Sequence, residues 1–405
     1  MKSATRWMNW NDCWDCKADK NAERKMWKKE PGSIRVCGDE WMIKSFDEVF
    51  EDATKLGVKI KTDEYHPIGK YQIIDQGQEA VAGYSDLEDG VFENVPAIVF
   101  GDHTRIVKYV DQPFFLGADG VKVLRSRFKD ANYRYLYYAL KSMKIPNTGY
   151  NRHFKWLKEA KIYYPNSEEQ SKIVLILDEI SSVIEHRQRQ LQKLDELVKA
   201  RFVEMFGDVI YNDRKWECKQ FSDITTSRLG KMLDTKHQTG TCKYPYLANF
   251  NVQWFRFELN NLNEMDFNEK DREEFCLEDG DLLVCEGGEI GRCAVWHNQV
   301  KKCFFQKALH RVRCNQNIIL PDYLSWWFKY NCENGGLAAI EGAKATISHL
   351  TGAKMKMLDV AVPPIELQEQ FVDFIKQVDK SKVAVQKALD EAQLLFDSLM
   401  QQYFG

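Results

Sequence analysis

The sequence predicts an α+β protein with two mixed α/β domains in tandem, each followed by a long α-helix. Three observations predict this fold: a repeat within the chain, short strand-like runs in each copy, and a heptad pattern of apolar residues at the end of each copy. We expect the two long helices to pair as an antiparallel coiled coil, because their apolar seams would otherwise remain in water.

The repeat is a collinear series of short matches. It begins with Trp41-x-x-Lys44-x-Phe46, which returns as Trp216-x-x-Lys219-x-Phe221. The later matches are Lys55-Leu56-Gly57 with Arg228-Leu229-Gly230, Lys70-Tyr71 with Lys243-Tyr244, Tyr135-Leu136 with Tyr323-Leu324, Pro165...Glu169-Gln170 with Pro364...Glu369-Gln370, and Phe206-Gly207 with Phe404-Gly405. Because the offset stays between 173 and 200 residues, the series indicates a duplication.

The repeat divides the chain into five predicted segments. Residues 1–38 have no counterpart in the second half and receive no assigned role. The other segments are a first domain at 39–165, a long helix at 166–208, a second domain at 209–363 and a second long helix at 364–405.

Composition favours a soluble, cytoplasmic protein. Of the 405 residues, 44% are hydrophobic and 29% are charged, and no apolar run approaches the ~20 residues that cross a bilayer. Residues 1–30 lack the pattern of a signal peptide. The eleven cysteines lack framework spacing, and Cys13-x-x-Cys16 has no second ligand pair, so no metal site is predicted.

Charge is distributed unevenly along the chain. Residues 96–161 contain 13 Lys or Arg against five Asp or Glu, and residues 291–320 contain six against none. Residues 258–281 compensate with ten acidic and two basic residues. This distribution favours a polyanion on one face of the protein, although a mixture of solvated charges is the simpler alternative.

Each half ends in a heptad pattern. Neither Pro nor Gly occurs between Pro165 and Phe206, and Arg187 and Arg201 interrupt the apolar seam of that segment. A helix of about 40 residues is about 60 Å long, so we expect the helix pair to act as a spacer. The residues predicted to pair the helices are Leu177, Ile180, Ile184, Leu191, Leu194 and Val198 in the first and Ile375, Val378, Val385, Leu389, Phe396 and Leu399 in the second. The alternative is two independent amphipathic helices.

Upstream of each helix, strand-like runs at 97–100, 120–124, 281–285 and 310–313 alternate with turns. An aromatic helix follows them in each half, at 133–138 and 323–330. These patterns predict mixed α/β domains and not a parallel βαβ sheet.

Motifs of DNA-modifying enzymes are missing. The tetrapeptide Val362-Pro363-Pro364-Ile365 lacks the acid and the aromatic ring of an amino-methyltransferase motif. Neither Gly69-Lys70 nor Gly230-Lys231 continues into the Ser or Thr of a phosphate-binding loop. We therefore predict no catalytic residue and a protein that binds its target.

The string Gly101-Asp102-His103-Thr104-Arg105 is the most distinctive short motif. A Gly-Asp turn at the end of an apolar strand would expose His, Thr and Arg, which suit phosphate oxygens and base edges. Alternatively, Asp102 could pair with Arg105 and cap the turn.

At these residues the chain resembles the specificity subunit of Type I restriction-modification systems. The resemblance rests on the stretch from Pro96 to Arg105, on the Gly-Ala-Asp-Gly-Val-Lys-Val string from Gly117, and on the helix that ends in Arg201-Phe202-Val203-Glu204-Met205-Phe206-Gly207-Asp208. It implies that each domain reads one half of a bipartite site in double-stranded DNA and that the helices space the halves. It also implies two methyltransferase subunits that dock on the helices and methylate adenine, and restriction subunits that translocate and cut.

The resemblance further implies that this chain binds no cofactor, with S-adenosylmethionine, ATP and Mg on the partner subunits. Our candidate DNA-binding residues are His103, Thr104, Arg105, Lys122 and Arg125 in the first domain and Arg292, Lys307, Arg311, Lys344 and Thr346 in the second. The second domain has Glu286-Gly287-Gly288-Glu289-Ile290-Gly291-Arg292 in place of the first domain's motif, so we expect two different half-sites. The alternatives are a coiled-coil scaffold that binds nucleic acid nonspecifically and a self-contained DNA-modifying enzyme with degenerate motifs.

Overall fold

The computed structural model describes residues 43–117, 119–149, 151–233, 240–337 and 349–405. The predicted segment 1–38 and the candidates Lys344 and Thr346 lie outside this part of the chain. Two units contain the described residues. The first runs to Glu179 and includes Phe396–Gly405, and the second is Ile180–Leu395.

The first unit is a mixed α/β domain with the ends of both long helices. Its strands are β1 Ile43–Ser45, β2 Phe50–Asp52, β3 Tyr71–Ile74, β4 Gly83–Ser85, β5 Ala97–Gly101, β6 Val107–Val110, β7 Phe114–Leu116, β8 Val121–Ser126 and β9 Lys161–Tyr163. Its helices are α1 Phe46–Val49, α2 Tyr133–Lys141, α3 Phe154–Leu157 and the beginning of α4 Ser167–Phe206. The central strand β5 is buried along its whole length, as its apolar sequence predicts.

The second unit repeats this arrangement. Its strands are β10 Glu217–Gln220, β11 Thr225–Leu229, β12 Lys243–Leu247, β13 Val252–Gln253, β14 Arg256–Phe257, β15 Asn263–Asp266, β16 Leu282–Cys285, β17 Cys293–Val295, β18 Phe304–Phe305, β19 Leu309–Cys314 and β20 Asp359–Val362. Its helices are α5 Phe221–Ile224, α6 Glu269–Phe275, α7 Pro321–Glu333, α8 Gly352–Lys356 and most of α9 Ile365–Phe404.

Sheet topology confirms the duplication. The order β2-β8-β5-β6 in the first unit matches β11-β19-β16-β17 in the second, β4-β3-β7 matches β15-β12-β18, and β1-β9 matches β10-β20. Register also agrees: Ile74 pairs with Leu116 in the parallel β3–β7 ladder, and Leu247 pairs with Phe305 in the parallel β12–β18 ladder. The hairpin β13–β14 has no counterpart among the described strands of the first unit. The predicted α+β class with tandem domains is therefore confirmed.

Helices α4 and α9 have 40 residues each and begin 198 residues apart. Within the second unit they run antiparallel, because Phe202 of α4 contacts Phe371 near the beginning of α9, with ring centroids 5.5 Å apart, while Asp195 pairs with Lys382 further along α9 at 2.6 Å. All twelve residues predicted to pair the helices are buried or partly buried. Lys382 occupies a seam position, and its ion pair with Asp195 compensates the charge there.

One match within the sequence repeat is wrong. The Gln170 side chain is buried and its Nε2 donates to the carbonyl oxygen of Pro165 at 2.8 Å. The equivalent donor in the second half is Gln368, whose Nε2 donates to the carbonyl oxygen of Pro363 at 2.8 Å, whereas Gln370 is exposed. Gln368 lies 198 residues after Gln170, which is also the offset of the helices. The pairs Glu169-Gln170 and Glu369-Gln370 are therefore alike in sequence but do not occupy equivalent positions.

The aromatic helices attach the long helices to the domains. In the first unit, Tyr135 of α2 packs against Phe404, with ring centroids 5.4 Å apart. In the second unit, Tyr323 of α7 packs against Phe206 at 4.8 Å. Because Phe206 and Phe404 end α4 and α9, each domain holds the end of the helix that belongs to the other half of the chain.

Candidate nucleic-acid interface

Two loops of the first unit lie together beside the end of β3. The hairpin 102–106 joins β5 to β6, and a turn ending at Gly120 joins β7 to β8. The amide of Asp102 donates to the carbonyl oxygen of Gly120 at 2.7 Å and links the two loops. Gly120 has φ of 92°, and a Cβ there would also meet the side chain of Gln76, so glycine is favoured at this turn.

Asp102 caps the short helix α3. Its Oδ1 accepts the amide of Phe154 at 2.7 Å, and its carbonyl oxygen accepts the amide of His153 at 2.8 Å. The carboxylate is therefore held by α3, and the alternative pairing of Asp102 with Arg105 is wrong. Asp102 thus attaches the hairpin to the beginning of α3.

His103 and Thr104 occupy the tip of the hairpin. The amide of His103 donates to Oε1 of Gln76 at 3.2 Å, and its ring Nδ1 lies 3.2 Å from the carbonyl oxygen of Asn151. Thr104 is exposed, and its hydroxyl donates to the carbonyl oxygen of Gln76 at 2.6 Å. Both side chains lie at the surface of the loop cluster, where the prediction places them, and their contact with DNA stays a prediction.

Two of the three basic candidates of the first domain, Arg105 and Lys122, have polar partners within the protein. Arg105 Nη1 donates to the carbonyl oxygen of Ile145 at 3.3 Å. Lys122 pairs with Asp52 at 2.9 Å, and its ammonium lies 5.0 Å from the Phe154 ring centroid. Arg125 is partly buried in β8, and its Nε has no hydrogen-bond partner among the described residues. Lys122 is thus neutralised locally, which weakens its attraction for phosphate.

The second unit contains the equivalent loops. Residues 286–292 join β16 to β17, as residues 102–106 join β5 to β6. The amide of Glu286 donates to the carbonyl oxygen of Ala308 at 3.0 Å, which reproduces the bond between Asp102 and Gly120. Ala308 even shares the positive φ of Gly120, at 97°. The two motifs differ in sequence but therefore occupy equivalent positions in the structure.

Two of the second domain's basic candidates are bound to acceptors within the domain. Arg292 Nη2 donates to Oδ1 of Asn249 at 2.7 Å. Arg311 Nη1 donates to the carbonyl oxygens of Glu274 and Cys276 at 3.1 and 3.0 Å, and burial lowers the pKa of its guanidinium. Both guanidinium groups thus have acceptors inside the domain.

Lys307 has a different setting. It is exposed in the turn between β18 and β19 and makes no ion pair with a described residue. It borders a groove of about 460 Å³ at the loop end of the domain. The groove is lined by Met232, Leu233, Asn249, Glu286, Gly287, Gly288, Gln306, Lys307, Ala308 and His349. The groove is therefore lined by one exposed lysine, the carboxyl of Glu286, the imidazole of His349, two carboxamides, and backbone and apolar groups.

Sequence reasoning missed two groups of residues near these loops. Gln76 and Asn249 each contact one of the two hairpins, and they are 173 residues apart, the offset also seen for Lys70-Tyr71 and Lys243-Tyr244. Three exposed cations lie in or next to α3, the helix that Asp102 caps, and they are Arg152, Lys155 and Lys158. The repeat offset was the sequence signal for the first group, and the density of Lys and Arg around α3 was the signal for the second.

Within the described ranges no group of three or more His, Cys, Asp or Glu could hold a metal ion. The Lys59 ammonium lies 2.8 Å from Asp119 and holds the pKa of that exposed carboxyl below its ordinary value. None of the helices in the described ranges has the length and apolarity to span a bilayer.

Comparison with known proteins gives one consistent result. A family model for the Type I restriction modification DNA specificity domain matches residues 38–196 and 213–392. The specificity subunit of the Escherichia coli Type I restriction enzyme EcoR124I/EcoR124II is 26% identical over an alignment of 157 residues, and the match covers 36% of this chain. That match spans only 38% of the length of the relative.

Two solved structures share the fold. The S subunit of a Type-I restriction-modification system from M. genitalium has a TM-score of 0.55 and 17% identity, and the match covers 90% of this chain and 96% of that one. A chain from a structure of complex assembly and conformational transition in the type I R-M system has a TM-score of 0.51 and 13% identity, over 89% and 97% of the two chains. Because the family model covers more than half of the sequence and both of its repeats, the chain belongs to the Type I restriction modification DNA specificity domain family.

Proposed function

We propose that this chain is the DNA sequence-specificity subunit of a Type I restriction-modification complex, and that each domain reads one half of a bipartite site. The observation that carries the proposal is the pair of equivalent hairpins, 102–106 and 286–292, which join equivalent strands and have different sequences. A repeated scaffold with divergent loops is suited to two similar readings of different bases.

The candidate groups fall into three sets. His103, Thr104 and Lys307 lie in the loops and offer donors and acceptors for base edges. Arg152, Lys155 and Lys158 lie beside the first hairpin as exposed cations, which suit phosphate contacts that position the protein without reading sequence. Lys122, Arg292 and Arg311 form a third set, and each is already bound to an acceptor within its own domain, which makes it less available to DNA.

The long helices are proposed to dock two methyltransferase subunits and to set the gap between half-sites. Outside the seam they expose apolar side chains, which are Leu175, Ile176, Val183, Leu197 and Val203 on α4 and Val383, Leu394 and Leu395 on α9. Protein partners docked on the helices would bury these side chains. S-adenosylmethionine would then be held by the methyltransferase subunits, and ATP and Mg by restriction subunits.

Methyl transfer with and without partners tests the proposal. The chain alone should transfer no methyl group from S-adenosylmethionine to DNA. The chain mixed with its modification subunits should methylate adenine within one split sequence. Methyl transfer by the chain alone would support a self-contained enzyme, and sequence-independent binding by the mixture would support a scaffold.

A further inference from the structure

We propose that Gln76 and Asn249 are equivalent positioning residues that hold the two recognition hairpins, one in each domain. The inference rests on the proposed function, because it concerns the loops that would read DNA. It goes beyond that function by naming the side chains on which the shape of each loop depends.

The two residues occupy the same place in the repeated fold. Gln76 follows the end of β3 at Ile74 by two residues, and Asn249 follows the end of β12 at Leu247 by two residues. Each strand is the middle one of a three-stranded sheet with one antiparallel and one parallel neighbour. The carboxamides therefore start from matching backbone positions.

Gln76 joins the two loops of the first domain. Its Oε1 accepts the amide of His103 at 3.2 Å, and its Nε2 donates to the carbonyl oxygen of Asp119 at 3.0 Å. Its own carbonyl oxygen accepts the hydroxyl of Thr104 at 2.6 Å. A carboxamide can be donor and acceptor at once, so one side chain fixes both loops.

Asn249 holds the hairpin of the second domain at two points. Its Nδ2 donates to the carbonyl oxygen of Gly287 at 2.8 Å, near the start of the hairpin. Its Oδ1 accepts Nη2 of Arg292 at 2.7 Å, at the end of the hairpin. The main chain around Gly288 has φ of 80°, so the loop depends on such bonds rather than on regular pairing to keep its shape.

The hydrogen bonds between the Gln76 and Asn249 side chains and the loops are mainly with main-chain groups. His103, Asp119 and Gly287 are each bound through a main-chain group, so the exposed side chains of the hairpins can differ between domains. Residues that position a loop in this way should change which bases are read without supplying the nonspecific attraction to DNA.

The test uses the full chain in complex with its modification subunits. Gln76→Met and Asn249→Leu remove both bonds without adding charge. Gln76→Glu and Asn249→Asp retain the acceptor and lose the donor, so they should give smaller effects. Gln78→Glu and Asn260→Asp add the same charge at exposed positions of the same two domains and serve as controls. Preferred sequences are obtained by selection from randomised DNA, and dissociation constants are measured on the selected site and on single mismatches.

We expect Gln76→Met to lower discrimination against mismatches by roughly tenfold in one half-site and to leave the other half-site unchanged. Asn249→Leu should do the same in the opposite half-site, and the controls should change neither. If a Met or Leu variant loses its folded state in a thermal scan, the Glu and Asp variants decide the matter.

Two results would overturn the assignment while leaving the proposed function intact: unchanged discrimination in the folded variants, or equal weakening on all sequences. A wild-type complex that selects no split sequence would instead overturn the proposed function and this inference together.

Discussion

The hydroxyl of Tyr135 donates a 2.6 Å hydrogen bond to the carbonyl oxygen of Tyr163, which joins α2 to β9. The second domain repeats it, because the hydroxyl of Tyr323 donates to the carbonyl oxygen of Ala361 at 2.7 Å. Both tyrosine side chains are fully buried, and burial raises the pKa of each phenol, so both remain protonated donors.

We predict that Tyr135→Phe and Tyr323→Phe each lower the free energy of unfolding by about 1–3 kcal/mol, because a buried carbonyl group loses its donor. Urea denaturation followed by circular dichroism measures the loss. Tyr211→Phe is the matched control, since Tyr211 is 83% exposed. A loss no larger than that of the control would show that these bonds do not stabilise the domains.

The corrected equivalence between Gln170 and Gln368 gives a second prediction. Gln368 accepts the amide of Leu320 at 2.8 Å and donates to the carbonyl oxygens of Ile318 and Pro363. Gln368→Ala should therefore lower the free energy of unfolding by roughly 2–4 kcal/mol, since several buried groups lose partners. Gln370→Ala should change it by less than about 0.5 kcal/mol, as expected for a surface site. Equal losses in the two variants would restore the alignment made from sequence.

A third prediction concerns pH. His310 is buried in β19, and burial lowers the pKa of its imidazole below the ordinary value near 6.5. The unfolded chain thus binds this proton more readily than the folded one. The stabilising contribution is complete above the unfolded pKa and falls as the pH drops through about 6.5 towards the folded value, by at most about 1.4 kcal/mol per pH unit.

Thermal unfolding from about pH 7.5 to about pH 5 measures this dependence. The wild-type protein should lose more stability over this range than His310→Gln. His186→Gln, at an exposed position of α4, should behave as the wild type. Parallel curves for the wild type and His310→Gln would mean that His310 does not contribute to acid sensitivity.

The fourth prediction separates phosphate contacts from base contacts. Replacing Arg152, Lys155 and Lys158 together by Ala should weaken binding of the complex to all DNA sequences alike. The slope of log affinity against log salt concentration should fall by about 0.9 for each phosphate that the protein no longer neutralises. Lys193→Ala, at an exposed position of α4, is the control. An unchanged slope, or a change confined to one sequence, would assign these cations a different role.

Helices and strands with a regular pattern of apolar residues could be predicted from the sequence. The heptads located both helices and their buried faces, since a repeat of 3.5 residues directly specifies which side chains share a seam. The strand-like runs became β5, β8, β16 and β19 because they are apolar and bounded by turns.

Contacts between residues that are far apart in the sequence could not be predicted. Lys122 meets Asp52 from 70 positions away, and Arg292 meets Asn249 from 43 positions away, so sequence alone did not show that these cations already have partners. Gln76 carries no motif, and only its place after β3 indicates its part in the loop cluster.

If the two domains read different bases, the chain should specify a split DNA site with unlike halves. The decisive measurement is methylation-sensitive sequencing of genomic DNA from a methylation-free host that expresses this chain with its modification subunits. We predict one modified motif with two short, unlike halves separated by a gap of fixed length. A contiguous motif, two identical halves, or methylation without a motif would contradict the proposal of two different readers.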